Sequence, residues 1–242
     1  MRVEQQPAFV LQARDYRETS LLLEVFTREY GRLGLIAKGA KRPKSQFRGL
    51  LAPFQPLRIG WSGKGELGVL TGAEAVSSSL ALIGDRFFFA FYLNELVLRL
   101  LHRHDAHQKL FDEYCLSLEG LLADSGWEPI LRIFEKHLLA ELGYALLLDK
   151  TGSGDGELDA GTLYRYIPDR GPMPVNGQES QGILLHGATL QALAAESLQG
   201  DESLREAKQL MRAILAIYLN GKPLHSRRLY QQITVFRNKT IA

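Results

Sequence analysis

Residues 20–48 read SLLLEVFTREYGRLGLIAKGAKRPKSQFR and decide how the first third of the chain is interpreted. Two runs rich in Leu, Val, Ile and Phe, Ser20–Thr27 and Leu33–Ala37, are separated by a glycine turn, which predicts two β-strands. The second run leads directly into Lys38–Arg48, where Pro43 excludes an ordinary helix. This segment has no acid and five basic side chains: Lys38, Lys41, Arg42, Lys44 and Arg48. A basic loop that leaves a strand suits a polyanion, because its charges replace the counterions of phosphates. The alternative is a solvated loop without a ligand.

The same strand pattern extends on both sides of this stretch. Strands are predicted at Phe9–Ala13, Ser20–Thr27, Leu33–Ala37, Leu57–Trp61 and Gly68–Ala73. Five short strands within the first 78 residues predict a small barrel. The OB-fold is the commonest five-stranded Greek-key barrel. An SH3-like barrel is the main alternative, and the pattern alone does not separate the two.

After Val76 the periodicity changes from that of strands to that of helices. Helices are predicted at Arg86–His102, Leu110–Ala123, from Pro129 to Gly143, Ala188–Ser197, Ser203–Asn220 and Ser226–Phe236. Residues 149–183 contain seven glycines and three prolines and predict an irregular excursion with one hairpin around Leu163–Ile167. The predicted fold is therefore an α+β multidomain chain. It has a five-stranded barrel, of the OB-fold or SH3-like type, at 1–78 and an all-helical domain, interrupted by the excursion, at 79–242.

Composition limits the class of protein. The chain is 45% apolar and 23% charged, which is ordinary for a soluble globular protein. It has no long uncharged apolar run, no signal-peptide core and a single cysteine, Cys115, so neither a membrane span nor an internal disulfide is expected. These features are typical of the reducing cytoplasm.

The distribution of charge is more informative than the net charge of +2. Residues 1–78 carry twelve basic and seven acidic side chains, whereas residues 79–242 carry seventeen basic and twenty acidic ones. After Glu206 there are seven basic residues and no acid. Two basic segments on either side of a more acidic middle indicate nucleic acid as a ligand.

No candidate catalytic group has the partners that its chemistry requires. Cys115 lies on the apolar stripe of its helix, which favours packing over a reactive thiol. The HRHDAH segment at 102–107 has no zinc spacing and reads as a cationic loop at a helix end. Glu95 has no partner carboxylate close in sequence, so a structural polar contact is favoured over a general acid. The glycine-rich run at 152–156 lacks the GxxxxGK[ST] pattern. No catalytic residue, cofactor or metal is therefore predicted.

Aromatic residues alternate with the basic segments, as they do where bases stack on rings while cations hold phosphates. The rings are Phe47, Trp61, Tyr230 and Phe236. The combination of a barrel, a basic loop and a basic tail predicts DNA binding. The predicted DNA-binding residues are Lys38, Lys41, Arg42, Lys44, Arg48, Lys64, Arg227, Arg228, Arg237 and Lys239.

Four separated blocks resemble the bacterial RecO recombination-mediator family. They are ETSLLLEVFTREYGRLGLIAKGAKRPKSQFRGLLAPF at 18–54, YLNELVLRLL at 92–101, LRIFEKHLLAELGY at 131–144 and LNGKPLHSRRLY at 219–230. The resemblance implies an OB-fold and a helical domain, binding of single- and double-stranded DNA, and annealing of complementary strands. It also implies work with RecR and single-stranded DNA-binding protein (SSB) to help load RecA, at the bacterial nucleoid. Some family members hold zinc with four cysteines in the excursion, and this chain has none there.

The resemblance also implies a site for the acidic C-terminal tail of SSB, which ends in phenylalanine, on the helical domain. The helix from Pro129 to Gly143 offers Leu131 on an apolar stripe and Arg132 and Lys136 on its flank. An ion pair of Arg132 with Glu128 or Glu135 is the alternative. For the whole chain, the alternative function is a metal-dependent DNA-processing enzyme such as a nuclease, which would need clustered carboxylates.

Overall fold

The computed structural model describes residues 2–63, 65–123, 126–152, 156–175 and 181–241, with side chains as far as residue 237. The chain divides into two compact units. The first unit comprises Met1–Ala123 and Leu224–Ala242, and the second comprises Asp124–Pro223. Within the described ranges, no helix has both the length and the apolar character needed to cross a membrane.

The first unit begins with a closed five-stranded barrel. Its strands are β1 (Arg2–Tyr16), β2 (Ser20–Thr27), β3 (Gly31–Ala37), β4 (Leu57–Ser62) and β5 (Leu67–Ala75). They follow the order β1-β2-β3-β5-β4, and β1 pairs again with β4 to close the barrel. β3 and β5 are parallel, and the other neighbours are antiparallel. This is the OB-fold topology, so the predicted barrel is confirmed and the SH3-like alternative is excluded.

Aliphatic side chains from all five strands fill the barrel. Val10, Leu23, Leu35 and Ile59 are almost completely buried there. Gly31 at the start of β3 has a φ of +64°, and an added Cβ would lie 1.7 Å from the backbone oxygen of Asp105. Only glycine is compatible with this approach, which brings the segment after the first helix against the barrel.

Three helices complete the first unit: α1 (Asp85–Leu100), α2 (Gln108–Gly120) and α6 (His225–Ile241). Phe9 and Phe26 of the barrel meet Phe111 and Tyr114 of α2 edge-on, with the Phe26 and Phe111 ring centroids 5.3 Å apart. Such aromatic pairs add stability beyond the area that they bury. α1 packs against both β1 and α6, as its nearly all-round apolar sequence predicts.

The second unit contains α3 (Trp127–Glu141), α4 (Gly187–Ala194) and α5 (Asp201–Tyr218). It also contains an antiparallel three-stranded sheet in the order β7-β6-β8, made of β6 (Leu163–Ile167), β7 (Gly171–Pro174) and β8 (Ile183–His186). The predicted hairpin at Leu163–Ile167 is thus present as β6 and β7. One strand was not predicted: β8 begins at the end of the predicted excursion and pairs with β6.

Candidate nucleic-acid interface

The basic loop, residues 38–56, connects β3 to β4 as a chain of tight turns. Successive backbone bonds of the turn type join Arg42 to Gly39, Ser45 to Arg42 and Arg48 to Ser45, at 3.0–3.2 Å. The apolar residues Ala40, Phe47 and Leu51 are buried and belong to the barrel core. The loop is therefore anchored to the barrel core at three points, while its basic side chains are exposed.

All five basic side chains of the basic loop are exposed. Lys41 Nζ lies 2.6 Å from the Asp15 carboxylate, and Arg48 donates to the carbonyl of Pro43 at 3.2 Å. Among the described residues, Lys38, Arg42 and Lys44 have no side-chain partner. The Lys41–Asp15 contact is on the surface, where an ion pair contributes less than about 1 kcal/mol and is easily exchanged for a phosphate.

A shallow depression of about 580 Å³ lies on the basic loop. Its lining includes Leu21, Arg42, Pro43, Arg48 and Ala52. Lys64, which the sequence assigns to the same interface, lies outside the described residues. The structure thus brings Lys41, Arg42 and Arg48 around one depression, which is a surface of positive charge over an apolar floor.

α6 carries the second group of predicted DNA contacts. Arg228 is exposed and has no side-chain partner among the described residues, whereas the Arg227 guanidinium lies 5.9 Å from the centroid of the Tyr92 ring. Arg237 pairs with Asp85 at 2.5 Å. Lys239 lies in α6, but its side chain is outside the described part. Of the described cations on this helix, Arg228 is thus the one most available to a phosphate.

The aromatic residues next to the basic segments have different surroundings. Phe47 and Trp61 are buried in the barrel core, and the Trp61 ring meets Tyr30 edge-on at 5.1 Å. Burial disfavours base stacking on Phe47 and Trp61, since each side chain is only 6% exposed. Phe236 is 72% exposed, and the Tyr230 hydroxyl lies 3.4 Å from Asp85.

Glu95 has the structural role that its sequence context favours. Its two carboxylate oxygens accept hydrogen bonds from the backbone N–H groups of His225 and Ser226, both at 2.8 Å, and from the Ser226 hydroxyl at 2.7 Å. Burial alone would raise the pKa of Glu95, but the hydrogen bonds from Ser226 and His225 outweigh it and lower the pKa. Glu95 of α1 is thus the N-terminal cap of α6, a contact 130 residues away in sequence that no local pattern reveals.

The predicted tail-binding residues lie on α3, where Leu131 and Arg132 are buried and Lys136 is half-buried. An Arg132 amino group donates to the equally buried Glu135 at 2.6 Å. Lys136 Nζ lies 2.6 Å from Glu196 and donates to two carbonyls at the end of α4. The ion pair with Glu135 is the alternative that the sequence left open for Arg132.

Among the residues that the structure describes, neither a cysteine nor a cluster of metal-ligating side chains lies at the basic loop. Burial raises the pKa of the half-buried Cys115 to about 12, so the thiol is protonated at neutral pH. Within the described part of the chain, one group of three metal-ligating side chains is found, His186, Glu202 and Glu206 in the second unit. Both carboxylate oxygens of Glu206 already accept hydrogen bonds, one from His186 and one from Thr189, so these side chains satisfy one another without a metal.

Comparison with known families covers nearly all of the chain. The family model described as "Recombination protein O N terminal" matches residues 1–79, and "Recombination protein O C terminal" matches residues 84–228. The chain belongs to the RecO family. The DNA repair protein RecO of Nitrosococcus oceani is 48% identical over 233 residues, which is 96% of this chain and 95% of that protein.

Other RecO proteins give the same picture. Those of Nitrosospira multiformis and Dechloromonas aromatica are 45% and 43% identical, over 96% of this chain and 96% and 97% of their own lengths. Membership of the RecO family places the chain among DNA repair and recombination proteins. The two family models match in succession along the chain. The first covers the barrel, and the second covers most of the segment that follows it.

Proposed function

We propose that this RecO-family chain binds single- and double-stranded DNA through the basic loop and anneals complementary strands. With RecR and single-stranded DNA-binding protein it would help to load RecA at the bacterial nucleoid during recombinational repair. The observation that carries the proposal is the set of exposed cations on the basic loop, held by a buried apolar anchor beneath them. We propose that this protein is a mediator without catalytic chemistry of its own.

The geometry suits phosphate binding without base recognition. Lys38, Arg42 and Lys44 have no protein partner to give up among the described residues, so binding a phosphate costs them only solvent and counterions. The anchored turns hold the backbone in place, which reduces the conformational entropy lost when DNA binds. Such contacts position a strand and carry little sequence information.

Annealing follows from the same charges. Two complementary strands repel each other through their phosphates, and a protein that neutralises phosphates on both lowers that barrier. The cations of the basic loop and Arg228 on α6 provide two basic surfaces within the first unit. We propose that α6 extends the DNA path through Arg227, Arg228, Arg237 and Lys239. Arg228 contributes most, since Arg237 must first leave Asp85.

The test is the salt dependence of DNA binding for a variant with Lys41, Arg42 and Lys44 all changed to alanine. Each phosphate contact contributes about 0.9 to the slope of log K against log salt for duplex DNA, so the slope should fall by up to about three. A control variant with Lys109, Lys150 and Arg205 changed to alanine removes the same charge from other surfaces and should retain the slope. An unchanged slope in the first variant would refute the interface. Including Mg²⁺ and labelled DNA tests the nuclease alternative, which predicts cut strands.

The site for the acidic tail of single-stranded DNA-binding protein on α3 stays a proposal, with one added requirement. The tail must displace Glu135 from Arg132 or Glu196 from Lys136, because both cations are already paired. Titration of a labelled acidic peptide ending in phenylalanine should show weaker binding to Lys136→Gln than to the unchanged protein. The Arg205→Ala variant serves as the control. Equal affinity of Lys136→Gln and the unchanged protein would remove Lys136 from the site.

A further inference from the structure

A groove of about 810 Å³ lies within the first unit, between β1, α1 and α6. Leu11, Phe91 and Leu98 contribute apolar surface to it, and Leu229 contributes from α6. Gln12 of the barrel and Gln232 of α6 also line it. We call this feature the α6 groove. Its volume is in the range of pockets that take small organic ligands.

The charge of the α6 groove favours an anionic ligand. Arg228 lines it and has no side-chain partner among the described residues. The one acid in the lining is Glu95, and both of its oxygens are occupied by the first turn of α6. Arg99 lies 3.7 Å from the same carboxylate and balances its charge. A phosphate at the groove therefore meets Arg228 without facing an uncompensated carboxylate.

The α6 groove is continuous with the basic loop along the chain. Ala52 lines the depression on the basic loop, and the next residue, Pro53, lines the groove. On β1, Ala13 lines the groove, and Asp15 two residues later holds Lys41 of the basic loop. The linings of the depression and of the α6 groove thus include consecutive residues of the chain, and Arg228 adds a cation to the groove.

We propose that the α6 groove takes an unstacked base of single-stranded DNA whose backbone lies on the basic loop. This inference rests on the proposed DNA binding. A base has apolar faces that suit Phe91 and Leu98 and polar edges that suit the amides of Gln12 and Gln232. Arg228 binds the adjoining phosphate. In duplex DNA the bases are stacked and paired, so the groove distinguishes single strands from duplexes.

The test is a tryptophan substitution that fills the groove, compared with the same substitution at a neighbouring glutamine outside it. Gln232 lines the groove, whereas Gln231 is exposed and does not line it. Gln232→Trp should weaken binding of a single-stranded oligonucleotide about tenfold, which is the effect of losing one stacked base, and should leave duplex affinity unchanged. Gln231→Trp should change neither affinity. An oligonucleotide with one 2-aminopurine should become more fluorescent with the unchanged protein, because the base leaves its stack, and less so with Arg228→Ala.

The outcomes separate this inference from the proposed function. If the unchanged protein binds DNA and Gln232→Trp binds single strands equally well, the groove has no base in it and the DNA interface stands. Equal losses for single strands and duplexes in Gln232→Trp would also overturn the base site. If the unchanged protein binds no DNA, both proposals fail. Thermal unfolding of each tryptophan variant confirms that it is folded, and Arg228→Ala reports on the groove without filling it.

Discussion

Glu24 on β2 is buried, and it lies between two guanidinium groups rather than beside one. Arg103, from the segment after α1, donates to one carboxylate oxygen, and Arg32 of β3 lies 3.8 Å from the other. Arg32 also donates to the carbonyl of Leu98 at 2.6 Å. Charges buried in this way contribute little when paired but are costly when one partner is lost. The network therefore holds residues 98–105 against the barrel.

We expect Arg103→Ala to lower the free energy of unfolding by about 2–3 kcal/mol, because it leaves Glu24 buried with Arg32 alone. Urea unfolding measures this change. Arg58→Ala removes an exposed arginine of β4 and should cost less than about 0.5 kcal/mol. Equal effects of the two substitutions would mean that Glu24 does not depend on Arg103.

Cys115 gives a second prediction for a single side chain. Its pKa of about 12, raised by burial, leaves almost no thiolate at pH 8. Alkylation by iodoacetamide at pH 8 should be at least about 100-fold slower in the folded protein than in urea, since a free thiol titrates near pH 8.5. In the folded protein the rate should rise about tenfold per pH unit between pH 7 and 9, and a rate that levels off in this range would show instead that the thiol is activated.

At the scale of elements, the sequence predicts β2, β3 and β6 closely because their ends are marked by turn residues and their apolar pattern is strong. β1 begins seven residues before the predicted Phe9 because its first half, paired with β4, is polar and contains Pro7. The third strand of the small sheet, β8, lies between the predicted excursion and the next predicted helix, where the sequence predicts no strand. Where these strands begin and end depends on pairing with strands that are distant in sequence, and a local sequence pattern does not contain this information.

In the candidate site, too, some features follow from the local sequence and others depend on long-range contacts. The basic loop was predictable from charge and turn residues alone, since both are local. The cap formed by Glu95 on α6 and the α6 groove depend on contacts between residues more than 100 positions apart, such as the bond from Ser226 to Glu95 at 2.7 Å. The sequence pattern also does not predict that Arg132 is buried, because an arginine usually lies on the surface. Its charge is compatible with burial here because it pairs with the buried Glu135.

α6 is the element whose stability depends most directly on one side chain of another helix. Glu95→Gln replaces one accepting oxygen by an amide donor and removes a charge from the N-terminus of α6, which should destabilise this helix by about 1–2 kcal/mol. Hydrogen exchange of α6 amides should accelerate about tenfold, while β2 amides are unaffected. Glu74→Gln on β5 is the control and should change neither rate.

The same cap predicts a pH dependence. Because the folded pKa of Glu95 is lowered, its contribution is complete above the ordinary glutamate value of 4.5 and is lost as the pH falls through the lower folded pKa. Exchange of α6 amides in the unchanged protein should thus approach that of Glu95→Gln at acid pH. If the difference between the two proteins does not shrink at any pH below 4.5 at which the chain stays folded, the carboxylate charge is not the source of the effect.

At the scale of the whole molecule, the predicted DNA contacts and the predicted partner site fall in different compact units. The basic loop and α6 belong to the first unit, and Leu131, Arg132 and Lys136 belong to the second. The second unit is a single insertion between residues 123 and 224. The division of the chain into a DNA-binding domain at 1–78 and a helical domain at 79–242 stays a prediction. The compact units instead place α1, α2 and α6 with the barrel.

This arrangement predicts that DNA binding survives without the second unit. Replacing residues 124–223 by a flexible Gly/Ser linker of about ten residues keeps the barrel, α1, α2 and α6, whose apolar contacts and Glu95 cap lie within the first unit. We expect this variant to unfold cooperatively and to bind duplex DNA with the same salt slope as the full chain, because the slope counts phosphate contacts. It should not bind the acidic peptide ending in phenylalanine, whose proposed site is on α3. A folded variant with a clearly smaller salt slope would show that cations of the second unit contact DNA. Retained peptide binding would move the partner site to the first unit.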